Sequence, residues 1–441
     1  MLEHLFGLRL GRLTGEWIML TLGAVIVVGT GFGLGLPAAY GDHQHEETSL
    51  IPGTEARCEG PFNGRNVPSE ELQRIVDDHA QWLFDHHGAK GKQANLCGAE
   101  LSGADFREQD LSGANFQGAN LSRADFTAAI LVHVNFHKTN LTEASLYAVD
   151  MRGANASGAK FRLANFRKAD LSQANFAGAD LREANLAETR LRSSILRGAD
   201  LEEAYLVGAD LEMANGEGAY MVGADLREAN LHRALFAHAK LVEADLSRSN
   251  LQEADFRSAD LSAADLGAAN LNEAILEDAD LREATLERAV LYHANLHKSK
   301  CAGANFQEAD LLGANLSESS LVRAEMDEAF LSKANLQRAN LEGVDLSWAN
   351  LVEADLSDAT LEFAVMFKTN LQEAILDRAN FYGADVRGAN VTNASFRGTK
   401  LHGVPMRHAY GFSQEQLDEA CVDIRTRLPE GMKAPAPCQR K

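Results

Sequence analysis

Apolar residues return at every fifth position through most of this chain. In "EADFRSADLSAADLGAANLNEAIL", residues 253–276, they are Phe256, Leu261, Leu266, Leu271 and Leu276. The phase holds without a slip from Leu96 to Met406. Of the 63 centres so defined, 41 are Leu and 12 are Phe, so the fold must bury one large apolar side chain per five residues. Ala156, Gly216 and Cys301 are the exceptions, and the gap at Gly216 predicts a local kink or a void that a leucine would fill. Two residues before each centre stands a small residue, mostly Ala. One before it stands Asn or Asp most often, and the two after it are variable and mostly polar.

The composition favours helix, but five residues advance a helix by about 140° beyond a full turn and would smear the leucines over all its sides. In an extended segment the small residue and the centre, two apart, share a face, and the Asn or Asp between them points away. The next inward position is held by Arg, Glu, Gly or Ser. The strand must therefore turn there, and a chain that turns once per five residues closes into coils that stack. Ten of the twelve centre phenylalanines have numbers ending in 6, Phe161 and Phe381 being the others. That preference stays on fixed sides only if the coil has an even number of them. Four sides of five residues give a twenty-residue coil.

Tandem A-[D/N]-L-x-x resembles the pentapeptide-repeat family over about 310 residues. The resemblance implies an all-β solenoid, a right-handed quadrilateral β-helix of nearly sixteen coils. At about 4.8 Å per coil its length would be about 75 Å.

The ends read differently. "WIMLTLGAVIVVGTGFGLGL", residues 17–36, carries no charge, follows Arg9 and Arg12, and precedes an acidic stretch. About twenty such residues span a bilayer with the basic side in the cytoplasm. Residues 1–41 thus read as a cytoplasmic stub with an anchor, or as a signal peptide cleaved near "LPAAYG". Residues 42–67 read as a linker. Residues 68–93 hold an amphipathic cap helix capped by Ser69 and ended by Gly88, with Leu72, Ile75, Val76, His79 and Leu83 on one side. The repeat array is 94–407. Residues 408–441 hold a second cap helix with an S-x-x-Q capping box at Ser413 and Gln416. Its apolar face is Leu417, Ala420, Cys421, Ile424 and Leu428. Cap helices of this kind also flank the repeats in exported bacterial members of the family.

Net charge is −21, which argues against binding nucleic acid through its phosphates. No nucleophile elbow, phosphate loop or metalloprotease motif is present, so no catalytic residue, cofactor or metal ligand is assigned. His79, His86 and His87, with Asp78 and Asp85, are close enough in sequence to suggest a metal site, though one cap-facing and two solvated histidines explain them as well. "HVNFHK" (133–138) recurs as "HANLHK" (293–298), eight coils on, and reads as a duplication. The wall with centres such as Phe136 and Leu296 has basic outer positions: His137, Lys138, Arg197, Arg257, His297, Lys298, Arg338, Arg378 and Arg397. A second wall is acidic, with Glu143, Glu183, Glu203 and Glu243 among others. Trp348, Phe363 and Phe367 occupy outer positions and form a candidate contact patch.

Five cysteines suit two staples and one leftover. A Cys58–Cys97 bond would pin the first cap to the first coil, and a Cys421–Cys438 bond would brace the other end. Cys301, at a centre, should be buried and reduced. Five free thiols in a cytoplasmic protein are the alternative. The function expected is non-enzymatic: an exported rod tethered in the inner membrane, lying on the periplasmic or extracellular side, that binds an unidentified protein or envelope partner. The alternative is an acidic DNA mimic that binds a topoisomerase of the gyrase type, as some family members do.

Overall fold

In the computed structural model, which describes residues 58, 60–85 and 90–435, residue n pairs in parallel with residue n+20. The register runs without interruption from Asn95↔Asn115 to Asn380↔Lys400. Twenty residues therefore make one coil. Each coil has four short extended sides and four turns, and every pair is a single bridge instead of a long strand.

One repeat unit shows why five residues suffice. In 115–119, Asn115 N–H donates to Ala94 O (2.9 Å), Phe116 N–H to Asn135 O (2.8 Å) and Gly118 N–H to His137 O (2.9 Å). Ala119 N–H closes the turn onto Phe116 O at 2.9 Å. The remaining donor, Gln117 N–H, reaches Asn115 Oδ1 at 3.2 Å. All five donors are satisfied, the last by the side chain that the A-[D/N]-L pattern supplies. The same asparagines form ladders between coils, as in Asn135 Nδ2 to Asn115 Oδ1 at 3.0 Å. The Asn or Asp position thus does more than face solvent.

The residue two after each centre from Leu96 to Leu401 is left-handed. Gly holds that place in Gly98 and Gly303, but Glu143 (φ 59°), Arg248 (58°) and Trp348 (63°) hold it elsewhere. This is the signature of a type II turn. Its strain is accepted because four turns per coil bury every centre. The sequence reading placed the corner correctly and did not see its handedness.

The core is one continuous column of centres and alanines. Phenylalanines on the same wall stack, Phe106 on Phe126 (4.8 Å, 12°) and Phe116 on Phe136 (5.4 Å, 28°). Those on opposite walls meet edge to face, Phe106 with Phe116 at 5.6 Å and 79°. Where Ser or Thr replaces the alanine, its hydroxyl mostly finds a carbonyl, as Thr139 Oγ1 does at Phe116 O (2.7 Å), and Ser194 Oγ is the exception among the described residues. The void expected at Gly216 does not exist. The ring of Phe236, one coil on, fills the place where a Cβ on Gly216 would stand.

Both ends are excursions inserted into a coil that otherwise continues. At the first end, residues of the expected linker belong to the fold: Gly64 N–H bonds Gly98 O at 2.8 Å, and Asn66 pairs with Glu100. The helix α1, Ser69–Phe84, is inserted between these partners. Its N-cap is Pro68, with no side-chain cap, so Ser69 is the first helical residue and not the cap. Val76 and His79 are its buried residues, and Leu72 and Ile75 pack against the core. Gly88 lies outside the described residues.

At the other end a 3₁₀ turn, Met406–His408, precedes α2, Gln414–Glu419. The capping box is formed: Gln416 N–H to Ser413 Oγ (3.2 Å) and Ser413 N–H to Gln416 Oε1 (2.8 Å). The helix is only six residues long, shorter than the apolar pattern predicted. Leu417 and Ala420 are buried, but Cys421 leaves the helix to pair with Lys400, and Ile424 is fully exposed. Edge bonds decide this: Cys421 N–H to Thr399 O (2.8 Å) and Leu401 N–H to Cys421 O (2.7 Å) continue the ladder, which a longer helix would leave open.

Candidate interaction surface

The predicted aromatic patch resolves into two pairs on neighbouring corners. Trp348 and Phe367 meet edge to face at 5.8 Å and 82°. Lys368 lays its Nζ 4.0 Å from the centre of the Trp348 ring. Phe363 stands on the preceding corner of the coil, edge to face with Tyr382 at 5.5 Å. The side between the two corners carries the exposed Val365. Phe330, 52% exposed, extends the apolar surface beyond Trp348. The sequence reading missed Phe330 and Tyr382. The signal was there: Phe330, like Val365, stands at the Asn/Asp position, where an apolar residue gives up the turn bond. Trp348 and Phe363 occupy left-handed turn positions and are more than half exposed, at 54% and 55%. A large aromatic ring in that place adds little to the fold.

Charges are arranged mostly to cancel. In Asp-Leu-Arg segments the arginine folds back on the aspartate two residues earlier, as Arg182 does on Asp180 (2.7 Å) and Arg227 on Asp225 (2.6 Å). The same clamp joins Arg107 to Asp105 at 2.6 Å, and its hydrogen bond holds the Asp105 carboxyl down at about 2. Hydrogen bonds from Arg182 and Arg227 likewise lower Asp180 and Asp225. The expected contrast between a basic and an acidic wall is correspondingly weaker than the sequence suggested. Arg197 pairs with Glu217 (3.2 Å), Arg257 with Asp255 (2.6 Å), Arg338 with Glu318 (3.5 Å) and Arg378 with Asp358 (2.6 Å). Arg397 stands 4.0 Å from Glu419. On the acidic wall Glu143 is held by Arg123 and Glu183 by Arg162.

The duplicated histidine motif is duplicated in its partners too. His137 Nδ1 lies 2.8 Å from Ser157 Oγ, and His297 Nδ1 lies 2.8 Å from Ser317 Oγ. His133 and His293 lie over Gly153 and Gly313, whose missing side chains leave room for the rings. This is packing between coils. His79 accepts the Ala94 N–H at Nδ1 (3.1 Å) and stacks on Trp82, sealing α1 to the first coil. His86 and His87 lie outside the described residues, among which no group of three metal-ligating side chains occurs.

Cys58 and Cys97 form a disulfide with a Cα–Cα distance of 5.7 Å. Cys421 is disulfide-bonded as well, and Cys438, its predicted partner, lies outside the described residues. Cys301 is free and buried, and burial pushes its thiol up to about 12. The apolar run 17–36 also lies outside the described residues, among which no helix is long and apolar enough to cross a membrane.

Three solved structures are similar. HetL, a pentapeptide repeat protein involved in heterocyst differentiation regulation from the cyanobacterium Nostoc sp., is 30% identical over 60% of this chain and 89% of its own, with a TM-score of 0.25. QnrB1, a plasmid-mediated fluoroquinolone resistance protein, is 17% identical over 43% and 88%, with a TM-score of 0.25. Rfr23 from the cyanobacterium Cyanothece is 27% identical over 29% and 90%, with a TM-score of 0.16. With such scores the superpositions carry no argument about this chain. No curated protein matches it significantly. The decisive match is to the family described as pentapeptide repeats, in overlapping segments that run from residue 92 to residue 409. Those are the residues that build the coils, and the chain belongs to the pentapeptide repeat family, right-handed quadrilateral β-helices that are generally non-enzymatic scaffolds.

Proposed function

We propose that this protein is an exported, membrane-tethered scaffold of the cell envelope. It holds a protein partner on the surface around Trp348, Phe363 and Phe367. The observation that carries the reading is the placement of these rings. The fold buries its apolar side chains in one column, and the exposed rings of Trp348 and Phe363, each against a half-buried aromatic at one of two adjacent corners, are then surplus to stability. Clustered exposed aromatics of this kind mark contact sites. The packed interior supports a non-enzymatic role, because the column of Leu, Phe and Ala has no room for a substrate. Export and tethering rest on the uncharged run 17–36 and its flanking charges, with support from the paired Cys58 and Cys97, since such bonds persist in oxidising compartments.

The acidic-mimic reading draws on the net charge of −21. The arginine clamps oppose it, because they break the negative surface into locally neutral units.

The test is cross-linking in the native host, with cell fractionation. A tagged chain should fractionate with the envelope and give a specific cross-linked product. Changing Trp348, Phe363 and Phe367 together to serine should remove that product and leave circular dichroism and melting nearly unchanged. A triple variant that unfolds, or that cross-links as before, overturns the contact surface. A chain found wholly in the soluble cytoplasm overturns the tether.

A further inference from the structure

One corner of the stack carries, in register from coil to coil, Arg288, Glu308, Glu328, Trp348 and Lys368. Arg288 satisfies Glu308 at 2.9 Å. Glu328 comes next and makes no ion pair among the described residues. Beyond it the Trp348 ring receives Lys368 from the following coil, with Nζ 4.0 Å from the ring centre. One face of the indole is thus already used as a cation receptor. Glu328 and Phe330 of the preceding coil stand beside the same ring. Between them is a hollow of about 480 Å³ lined by Glu308, Glu328, Phe330, Trp348 and Asn350. Its walls are two exposed aromatic rings, and its floor carries a carboxylate that Arg288 neutralises and one that it does not. Asp327, bound by Gln307 at 2.8 Å, and Glu325 add negative charge beside it.

We propose that this hollow is a subsite for one cationic group, the ammonium or guanidinium of a basic segment in the partner protein. The inference rests on the contact surface proposed above and names what the partner must offer there. A cation entering the hollow meets the negative face of an indole and an uncompensated carboxylate together. Aromatic rings around a carboxylate suit a cation far better than an anion or a neutral apolar group. The aliphatic stem of a lysine or arginine would lie along Phe330. Glu243, an exposed carboxylate on another corner with no aromatic neighbour of this kind, is the natural control.

The experiment uses the full chain and an acetylated, amidated pentapeptide of sequence Gly-Leu-Lys-Leu-Gly, followed by calorimetry and tryptophan fluorescence. Binding should weaken about fivefold or more in Trp348→Leu and in Glu328→Gln, and stay unchanged in Glu243→Gln. A peptide with norleucine in place of lysine should bind at least about tenfold more weakly. Unchanged melting temperatures keep folding out of the comparison. Equal binding by Trp348→Leu and the parent chain, or equal losses in Glu328→Gln and Glu243→Gln, would mean diffuse attraction to an acidic surface and overturn the subsite. The two proposals separate in the host. If Glu328→Gln keeps the cross-linked product that the triple serine variant loses, the contact surface stands and the cation subsite falls. If the peptide binds in a Trp348-dependent way but no product forms on this face, the subsite stands and the scaffold reading falls.

Discussion

Between Asn95 and Lys400 the chain repeats one solution, and beyond Pro405 it must improvise. Inside the array every coil offers its neighbour the same donors, acceptors and apolar floor. At the C-terminal end there is an apolar cross-section to cover and a ladder edge to pair. The chain divides the tasks. Leu417 and Phe412 cover the cross-section, with Phe412 meeting Phe396 edge to face at 5.3 Å, while Tyr410 and Cys421 pair the edge. Periodicity specifies the interior. At the end, competition between helix and ladder decides, and a short helix wins only where no edge needs it.

The interior should be the less forgiving region, and the pair Gly216 and Phe236 is its sharpest probe. Phe236→Ala should cost about 3–5 kcal/mol, as emptied aromatic sites do. Gly216→Leu should cost about 1–3 kcal/mol by overpacking, since the ring of Phe236 already fills the space. Combining Gly216→Leu with Phe236→Ala should cost clearly less than the sum. Thermal and urea unfolding of the three variants measure this, and strict additivity would mean that the two positions do not share the space.

The first end should respond to its staple. Cys58 and Cys97 enclose 39 residues in sequence, and a closed loop of that size contributes roughly 3–4 kcal/mol through the unfolded chain. Reduction should release α1 and the 60–66 segment while the array keeps its protection. Hydrogen exchange before and after reduction reads this directly. Loss of protection at Asn135 or beyond, in step with α1, would show that the end and the interior form one cooperative unit.

Much of this could be read from the sequence, for a specific reason. A leucine every five residues can be buried throughout only in a coil that turns once per repeat, and the ten-residue preference of phenylalanine then favours four sides and assigns the walls. Gly216 was misread as a gap because the five-residue frame looks along the chain, whereas its neighbour is twenty residues on. The complementary pairing of a small centre with a large one, Gly216 with Phe236, is visible once the coil length is applied. The six-residue α2 was overextended because Leu417, Ala420, Cys421 and Ile424 have helical spacing. Nothing in that spacing records the unpaired edge at Lys400. The contact patch was half legible. Unusual residue types announced Trp348 and Phe363, and the twenty-residue coil places Trp348 against Lys368 and Phe367, but only the three-dimensional stack shows that Phe363 faces Tyr382.

A smaller effect separates the residues that build the ladder from those that interrupt it. Asn135 bonds Asn115 Oδ1 at 3.0 Å and accepts the His137 N–H at 3.1 Å. Asn135→Ala should cost about 1 kcal/mol. Ile195 occupies the same position on the same wall and is exposed. Ile195→Asn should gain a few tenths of a kcal/mol by restoring the turn bond. If both changes proved neutral in chemical unfolding, water would be replacing the side-chain bond at no cost.

Acid should act most gently, and on the improvised end before the array. Asp423 is the hub there. Its Oδ1 accepts the N–H groups of Gly403 (3.0 Å), Arg425 (3.1 Å) and Thr426 (3.1 Å), and its Oδ2 pairs with Arg425 Nε at 2.8 Å. Burial favours the protonated form, but the bonds from Arg425, Gly403 and Thr426 outweigh it and hold the carboxyl well below the usual carboxylate range. A group depressed in the folded state stabilises fully above its unfolded value, near pH 4, and loses that contribution as pH falls through its folded one. Asp105, Asp180 and Asp225 follow the same sign in the array, Asp105 being held at about 2. In each of those pairs the arginine is exposed and the pair contributes little, and the backbone ladder beneath it does not depend on it. Asp423 instead ties the last turn of the array, at Gly403, to the closing 423–426 turn, where the regular ladder stops. Lowering the pH from about 5 to about 2 should therefore reduce the melting temperature gradually, with amides of 401–428 losing protection before those of the array. Asp423→Asn should bring that early loss to neutral pH, because the amide keeps an acceptor for the backbone donors but no charge for Arg425. An array that loses protection first on acidification would place the weak point in the arginine clamps and reverse the ranking of the two regions.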